Sequence, residues 1–180
     1  MLLLYIFLLV MLFSSIPYLI LFTRRSATAA ELKRAIDRAG YKFRSVGAFW
    51  YMDTVDGKHA SFYILKDGRV ISVKVIGFMS SGIALDFKDK NSYGIKKLAA
   101  SESEPAPDTY KTKKKSPYDF KAKMPEEWKR LPYAKIILVM DPYPAKLTRS
   151  TANGKKNIKP GDDTGEGELH NISSFLELIS

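Results

Sequence analysis

Cysteine is absent from the 180 residues, so disulfides and thiolate metal sites are closed to this chain. Its two histidines, His59 and His170, are widely separated and would need carboxylates to complete a zinc site. Both are read as surface residues. The run Asp162-Asp163-Thr164-Gly165-Glu166-Gly167-Glu168 offers oxygens suited to Ca²⁺ or Mg²⁺, but it lacks the EF-hand order of glycine and closing glutamate. A solvated turn is the simpler reading, because Asp and Gly are residues that reverse chains. Nucleophilic catalysis would need a serine beside a base, and there is no G-x-S-x-G elbow. Gly154-Lys155 lacks the upstream glycine and the following hydroxyl of a phosphate loop. No metal and no cofactor are expected.

Acid–lysine pairs remain. Ala84-Leu85-Asp86-Phe87-Lys88 places an acid and a lysine two apart on a strand-like run, with Asp67 or Asp53 as an earlier acid. Val70-Ile71-Ser72-Val73-Lys74 has the strand and the lysine, with Ser72 at the acid's place. A leading helix, a β-meander and a basic surface behind an apolar segment resemble nuclease-related domains of the PD-(D/E)XK kind. That resemblance implies two acids holding Mg²⁺ and a lysine steadying the attacking water, which would fall to Asp67, Asp86 and Lys88. The same spacing recurs at Glu31/Lys33, Asp56/Lys58, Asp119/Lys121 and Glu127/Lys129, and Asp67 already serves a hairpin turn with Gly68. A degenerate membrane-tethered enzyme of this kind is therefore the alternative reading, and a non-catalytic binding domain the main one.

Charge points to what would be bound. There are 29 Lys+Arg against 19 Asp+Glu, a net +10, and every basic residue follows Thr23. Arg24, Arg25, Lys33, Arg34, Arg38, Lys42 and Arg44 lie just past an apolar run, where each cation near an anionic leaflet contributes about 1 kcal/mol. Lys111, Lys113, Lys114 and Lys115 form a second cluster, read as an anion-binding loop. Tyr110, Tyr118 and Phe120 interleave it too thinly for base stacking, which makes nucleic acid a lesser expectation than a membrane surface or a protein partner.

The elements that position these residues begin with residues 1–23, a transmembrane helix without a charged side chain. At 1.5 Å per residue its apolar part spans about 33 Å, enough for a hydrocarbon core of about 30 Å. Ala27-Thr28-Ala29 has the form of a signal-peptidase site, but no basic residue precedes the run and Arg24-Arg25 stand before that site, so an uncleaved anchor is expected. Basic residues close to a span remain cytoplasmic. The expected location is the cell membrane, single-pass, with the N-terminus outside and the C-terminal domain in the cytoplasm.

Residues 24–40 read as a juxtamembrane amphipathic helix, capped by Thr28 with Glu31 and stopped by Gly40. Residues 41–98 read as the β-meander half of a soluble domain, with strands over 43–51, 59–66, 69–78, 83–88 and 93–98. Residues 99–132 are a Pro/Lys-rich surface excursion, disordered over 101–116, in which Trp128 docks one helical turn on the core. Residues 133–180 form the second half, with an apolar inner strand at 135–140, a hairpin around Asn153-Gly154 and a C-terminal helix. The fold class is α+β: a single N-terminal transmembrane helix, then one mostly antiparallel-β domain with short flanking helices. The strand count and closing helix resemble a pleckstrin-homology-type barrel.

Overall fold

No glycine or proline interrupts residues 18–39, and helix propagation through such a stretch costs little once a nucleus exists. The computed structural model, which describes residues 2–98 and 110–180, accordingly has one unbroken helix, α1 (Leu2–Arg38). The expected break before a separate 24–40 helix is not there. Thr28 is no cap: its hydroxyl donates to the Arg24 carbonyl one turn back, at 3.3 Å. Ser14, Ser15, Thr23 and Ser26 return their hydroxyls to the helix in the same way. Residues 3–20 stand clear of the domain, and α1 is long and apolar enough to cross a membrane. Gly40 ends it at φ +76°, with Gly40 N–H on Asp37 O and Tyr41 N–H on Ile36 O. That pair of bonds is the Schellman closure a left-handed glycine permits.

Among the described residues, ten strands follow in two sheets. The first contains β1 (Lys42–Ser45), β2 (Phe62–Lys66), β3 (Arg69–Gly77), β7 (Tyr133–Asp141) and β10 (Glu168–Asn171), in that order. In the second, β6 (Lys111–Lys114), β5 (Ser92–Lys97), β4 (Ile83–Asp89), β8 (Lys146–Thr151) and β9 (Gly154–Asn157) lie side by side. β1–β2–β3 is antiparallel, with Asp67 (φ 50°) and Gly68 (φ 72°) making the expected two-residue turn. The five-stranded meander does not form. After Gly77 the chain crosses to the second sheet, and β3 pairs instead with β7, in parallel. β7–β10 and β4–β8 are parallel as well, so both sheets are mixed and neither is a pleckstrin-homology-type barrel. The physical reason lies in β3 and β7. Residues 70–78 and 137–141 are all buried, and strands covered on both faces can take parallel neighbours.

Side chains from the two faces of β3 divide the core. Ile71, Val73 and Val75, with Ile137 and Val139 of β7, meet Leu32 and Ile36 of α1 and Phe175 and Ile179 of α3 (Ile172–Ile179). Val70 and Ile76, with Leu138 and Met140, face Leu85, Phe87, Tyr93 and Leu147 of the second sheet. The layers are helices, sheet, sheet. The 99–132 region is less superficial than its composition implies: Phe120, Met124 and Trp128 are buried in the inter-sheet core, Trp128 on the short α2 (Glu126–Lys129) as expected. Its cluster at 111–114 is a paired edge strand, not a disordered loop, while 99–109 lie outside the described residues.

α3 owes its start to Asn171, whose side chain accepts from Ser174 N at 2.8 Å while Ser174 Oγ receives Asn171 N–H at 3.1 Å. Replacing Asn171 by alanine removes this reciprocal cap, and a thermal melt of the full chain in detergent should show a loss of about 1 kcal/mol.

Candidate functional site

α1 meets the domain at an aromatic junction. Gly47 (φ +151°) ends the pairing of β1, and the chain folds back through a 3-10 turn at Trp50–Met52 rather than continuing as the expected strand. This presents Phe49 and Tyr51 to the helix, while Trp50 between them turns to Phe43 and Phe62 of the first sheet, at 5.7 and 4.8 Å between ring centroids. Phe22, the last residue of the apolar run, has Phe49 and Tyr51 each at 6.1 Å between ring centroids, and Trp50 stacks edge-on to Tyr51. Phe49 remains 63% exposed.

The cations around this junction divide by depth. Arg25 is buried, its guanidinium lying over Gly77, where any side chain would overlap it, and reaching Met52 Sδ at 4.0 Å. Burial lowers its pKa, against the attraction of Asp141. Arg24, half exposed, is 3.5 Å from Asp141 Oδ1. Lys33, Arg34, Arg38, Lys42 and Arg44 are all exposed. Because α1 is continuous, Lys33 to Arg38 lie about 16–24 Å beyond Phe22 along its axis, further than one Debye length of about 8–10 Å. Of the seven cations expected to face a leaflet, Arg25 is spent inside the domain. Arg24 is the exposed one nearest the apolar run.

A second concentration of charge lies between the sheets. Lys74, fully buried on β3, donates to Asp53 Oδ2 at 2.5 Å. Burial holds its pKa below the ordinary lysine range, with Asp53 opposing. Lys115 is buried too, so it does not belong to an anion-binding loop. Its ammonium meets Glu166 Oε1 and Oε2 at 2.6 and 2.8 Å and the Lys90 carbonyl at 3.1 Å, and it stands 3.9 Å from the centre of the Tyr118 ring. Burial raises the Glu166 carboxyl despite Lys115. Tyr118 thus lies between two ammonium groups, with Lys74 at 5.1 Å, and its hydroxyl donates to Val55 O.

The acid–lysine candidates separate. Asp67 is at the β2–β3 turn of the first sheet. Asp86 is fully buried on the outer side of the second, accepting from Thr148 (2.9 Å) and Ser150 (3.1 Å) and paired with Lys155 at 3.1 Å. Lys88 donates to Thr112 Oγ1 at 2.6 Å instead of turning to Asp86. The 162–168 loop spends its acids internally: Asp162 and Asp163 accept from Lys159 and Gly165 amides, and Glu168 holds Lys135 and His170. Burial works against the Glu168 charge, but those two donors outweigh it and leave its pKa below the usual range. His170 is buried in this network, not on the surface. Among the described residues no three His, Asp or Glu side chains gather as a metal site.

Sequence reasoning missed the Phe49-Trp50-Tyr51 shelf, the Lys74–Asp53 pair and the Lys115–Glu166 pair. The shelf did leave a signal: three consecutive aromatics break the alternation a half-buried strand requires. No known family model matches this chain, and neither does a curated protein or a solved structure.

Proposed function

We propose that the chain is a single-pass membrane protein whose basic, non-catalytic domain binds the anionic surface of the membrane it is anchored in, from the cytoplasmic side. The observation that carries this reading is the packing of Phe49 and Tyr51 on Phe22. The Tyr51 ring, with its polar hydroxyl, favours the level of the headgroups, the exposed Phe49 ring adds apolar surface beside it, and an apolar span ending at Phe22 brings the shelf to that level. The rigid continuation of α1 into the buried Leu32 and Ile36 then fixes the domain against the bilayer rather than leaving it on a tether. Arg24 supplies the nearest exposed positive charge, and the net +10 biases the whole domain toward an anionic leaflet. The nuclease-like alternative lacks such support, because Asp67 and Asp86 belong to different sheets and Lys88 turns to Thr112.

Trp50, between the two shelf residues, reports on their depth. With Trp128, the other tryptophan, replaced by phenylalanine, the full chain is reconstituted in vesicles containing phosphatidylglycerol and lipids brominated near the headgroup. Trp50 fluorescence should be quenched by half or more. An unquenched Trp50 ends the surface-docked reading. Protease digestion of a C-terminal tag in vesicles of known sidedness checks the orientation, since a tag exposed only on the outer side would reverse it.

A further inference from the structure

At the open edge between the sheets lies a cleft of about 950 Å³. Its size is within the ~300–1,000 Å³ typical of sites that enclose a small-molecule ligand. Val55, Phe78, Ile83 and Ile95 give it apolar walls, and Lys97, Lys111 and Lys113 line it as well. Register explains the juxtaposition. Lys97 is opposite Ile83, Lys111 opposite Ile95 and Lys113 opposite Tyr93, so one face of β4–β5–β6 is apolar inward and cationic at its rim. The three lysines are exposed and form no ion pair among the described residues. Among the described residues the one acid on the lining, Asp56, accepts from the Tyr93 hydroxyl at 3.1 Å.

The position of the mouth matters as much. Gly77, Phe78, Met79 and Ser80 line the cleft, and Gly77 is the residue on which Arg25 packs. Arg25 is three residues, about 4.5 Å of helix, past Phe22. Met79, 63% exposed, is two residues further along the same strand exit, within about 7 Å of chain. The opening is therefore linked to the end of the apolar run by one arginine side chain and a few residues of chain.

We infer that this cleft takes one acidic phospholipid from the surrounding membrane, its headgroup phosphate held by Lys97, Lys111 and Lys113 and its apolar part against Phe78, Ile83 and Ile95. An inorganic anion would have no use for the walls, and a neutral lipid none for three cations. An anionic amphiphile uses both. The inference rests on the membrane-docked reading above.

The full chain is extracted in mild detergent from membranes containing equal phosphatidylglycerol and phosphatidylcholine, and native mass spectrometry counts the lipids retained. One phosphatidylglycerol per chain is expected, at least tenfold over phosphatidylcholine. Lys97→Glu/Lys111→Glu/Lys113→Glu should lower that retention at least tenfold. Lys33→Glu/Arg34→Glu/Arg38→Glu, which carries the same charge change on α1, should leave it within twofold. Ile95→Trp, which fills the cleft without touching a charge, should also abolish retention while an unchanged melting curve shows the fold intact. Equal retention of the two lipids overturns the inference, as does indifference to the rim reversal or to Ile95→Trp, or an equal loss in the α1 variant. Failure of the docked reading itself is separately visible, since Trp50 would then escape quenching.

Discussion

Lys115→Met should lower the midpoint of thermal unfolding by roughly 10 °C, the signature of about 3–5 kcal/mol when one partner of a buried ion pair is removed from a domain of this size. The Lys115 side chain is fully buried and the Glu166 side chain only 10% exposed. With the ammonium gone, the carboxylate that now binds it through both oxygens has no counter-charge, and Tyr118 loses the cation on its ring. Burial already pushes the Glu166 pKa up in the intact protein, and removing Lys115 removes its principal opposition. A carboxyl whose folded pKa is raised contributes stability below its unfolded value of about 4.3 and loses it as pH rises through the folded one. The deficit of Lys115→Met against the parent should therefore be smaller at pH 4 than at pH 7. A deficit of equal size at both pH values would show that the uncompensated Glu166 is not its cause. Lys115→Met/Glu166→Leu provides the complementary check: the double variant should recover most of the loss, because a buried pair exchanged whole for apolar groups costs little.

Lys115 also shows where the sequence could be read and where it could not. Its neighbours Lys111, Lys113 and Lys114 are exposed, and composition alone gives no reason to treat the fourth lysine differently. Strand parity separates it only from Lys114: alternation puts Lys115 on the same face as Lys111 and Lys113, the side of Tyr93 and Ile95, and what buries it is the approach of Tyr118 and the distant Glu166. Features written in local chemistry were legible: the Asp67-Gly68 turn, the Gly40 stop, the Asn153-Gly154 hairpin and the docking of Trp128 each need only a few adjacent residues. What escaped was non-local. The β3–β7 pairing joins Ile71 to Lys135 across the entire β4–β6 block, and nothing within either strand names the other as its neighbour. The run at 136–140, apolar throughout, and that at 70–78, broken only by Ser72, Lys74 and Gly77, did carry a hint, since a strand buried on both faces is the kind that takes parallel partners. The separate helix at 24–40 failed for the opposite reason. Thr28 and Glu31 match a cap pattern, but the chain before Thr28 had no cause to stop being helical.

Asp53→Asn is expected to produce a loss of about 3 kcal/mol at pH 7, again from orphaning a buried charge, here the Lys74 ammonium. The Asp53 side chain is 26% exposed while that of Lys74 is not exposed at all, so the consequence falls on the lysine. Burial holds the Lys74 pKa below its ordinary value, and Asp53 is the chief group opposing that shift; without it the folded-state pKa drops further. Between that lowered value and the ordinary one of about 10.4 the unfolded chain binds more protons than the folded, so stability rises with pH. The gap between Asp53→Asn and the parent should accordingly narrow as pH is raised from 7 to 9.5. Beyond pH 10 the comparison loses its meaning, because burial raises the hydroxyls of Tyr118, Tyr93, Tyr63 and Tyr143, the last two to about 12, and stability then falls in both proteins as the unfolded tyrosines ionise. Gly57→Ala separates the ion pair from the loss of the acid itself. A methyl group at Gly57 would overlap the Asp53 carboxylate, forcing it away from Lys74 while leaving its charge in place. Gly57→Ala should therefore reproduce the same sign of pH dependence at smaller amplitude. If neither variant changes slope between pH 7 and 9.5, Lys74 does not depend on Asp53 for its charge, and the inter-sheet pair is not what stabilises this part of the core.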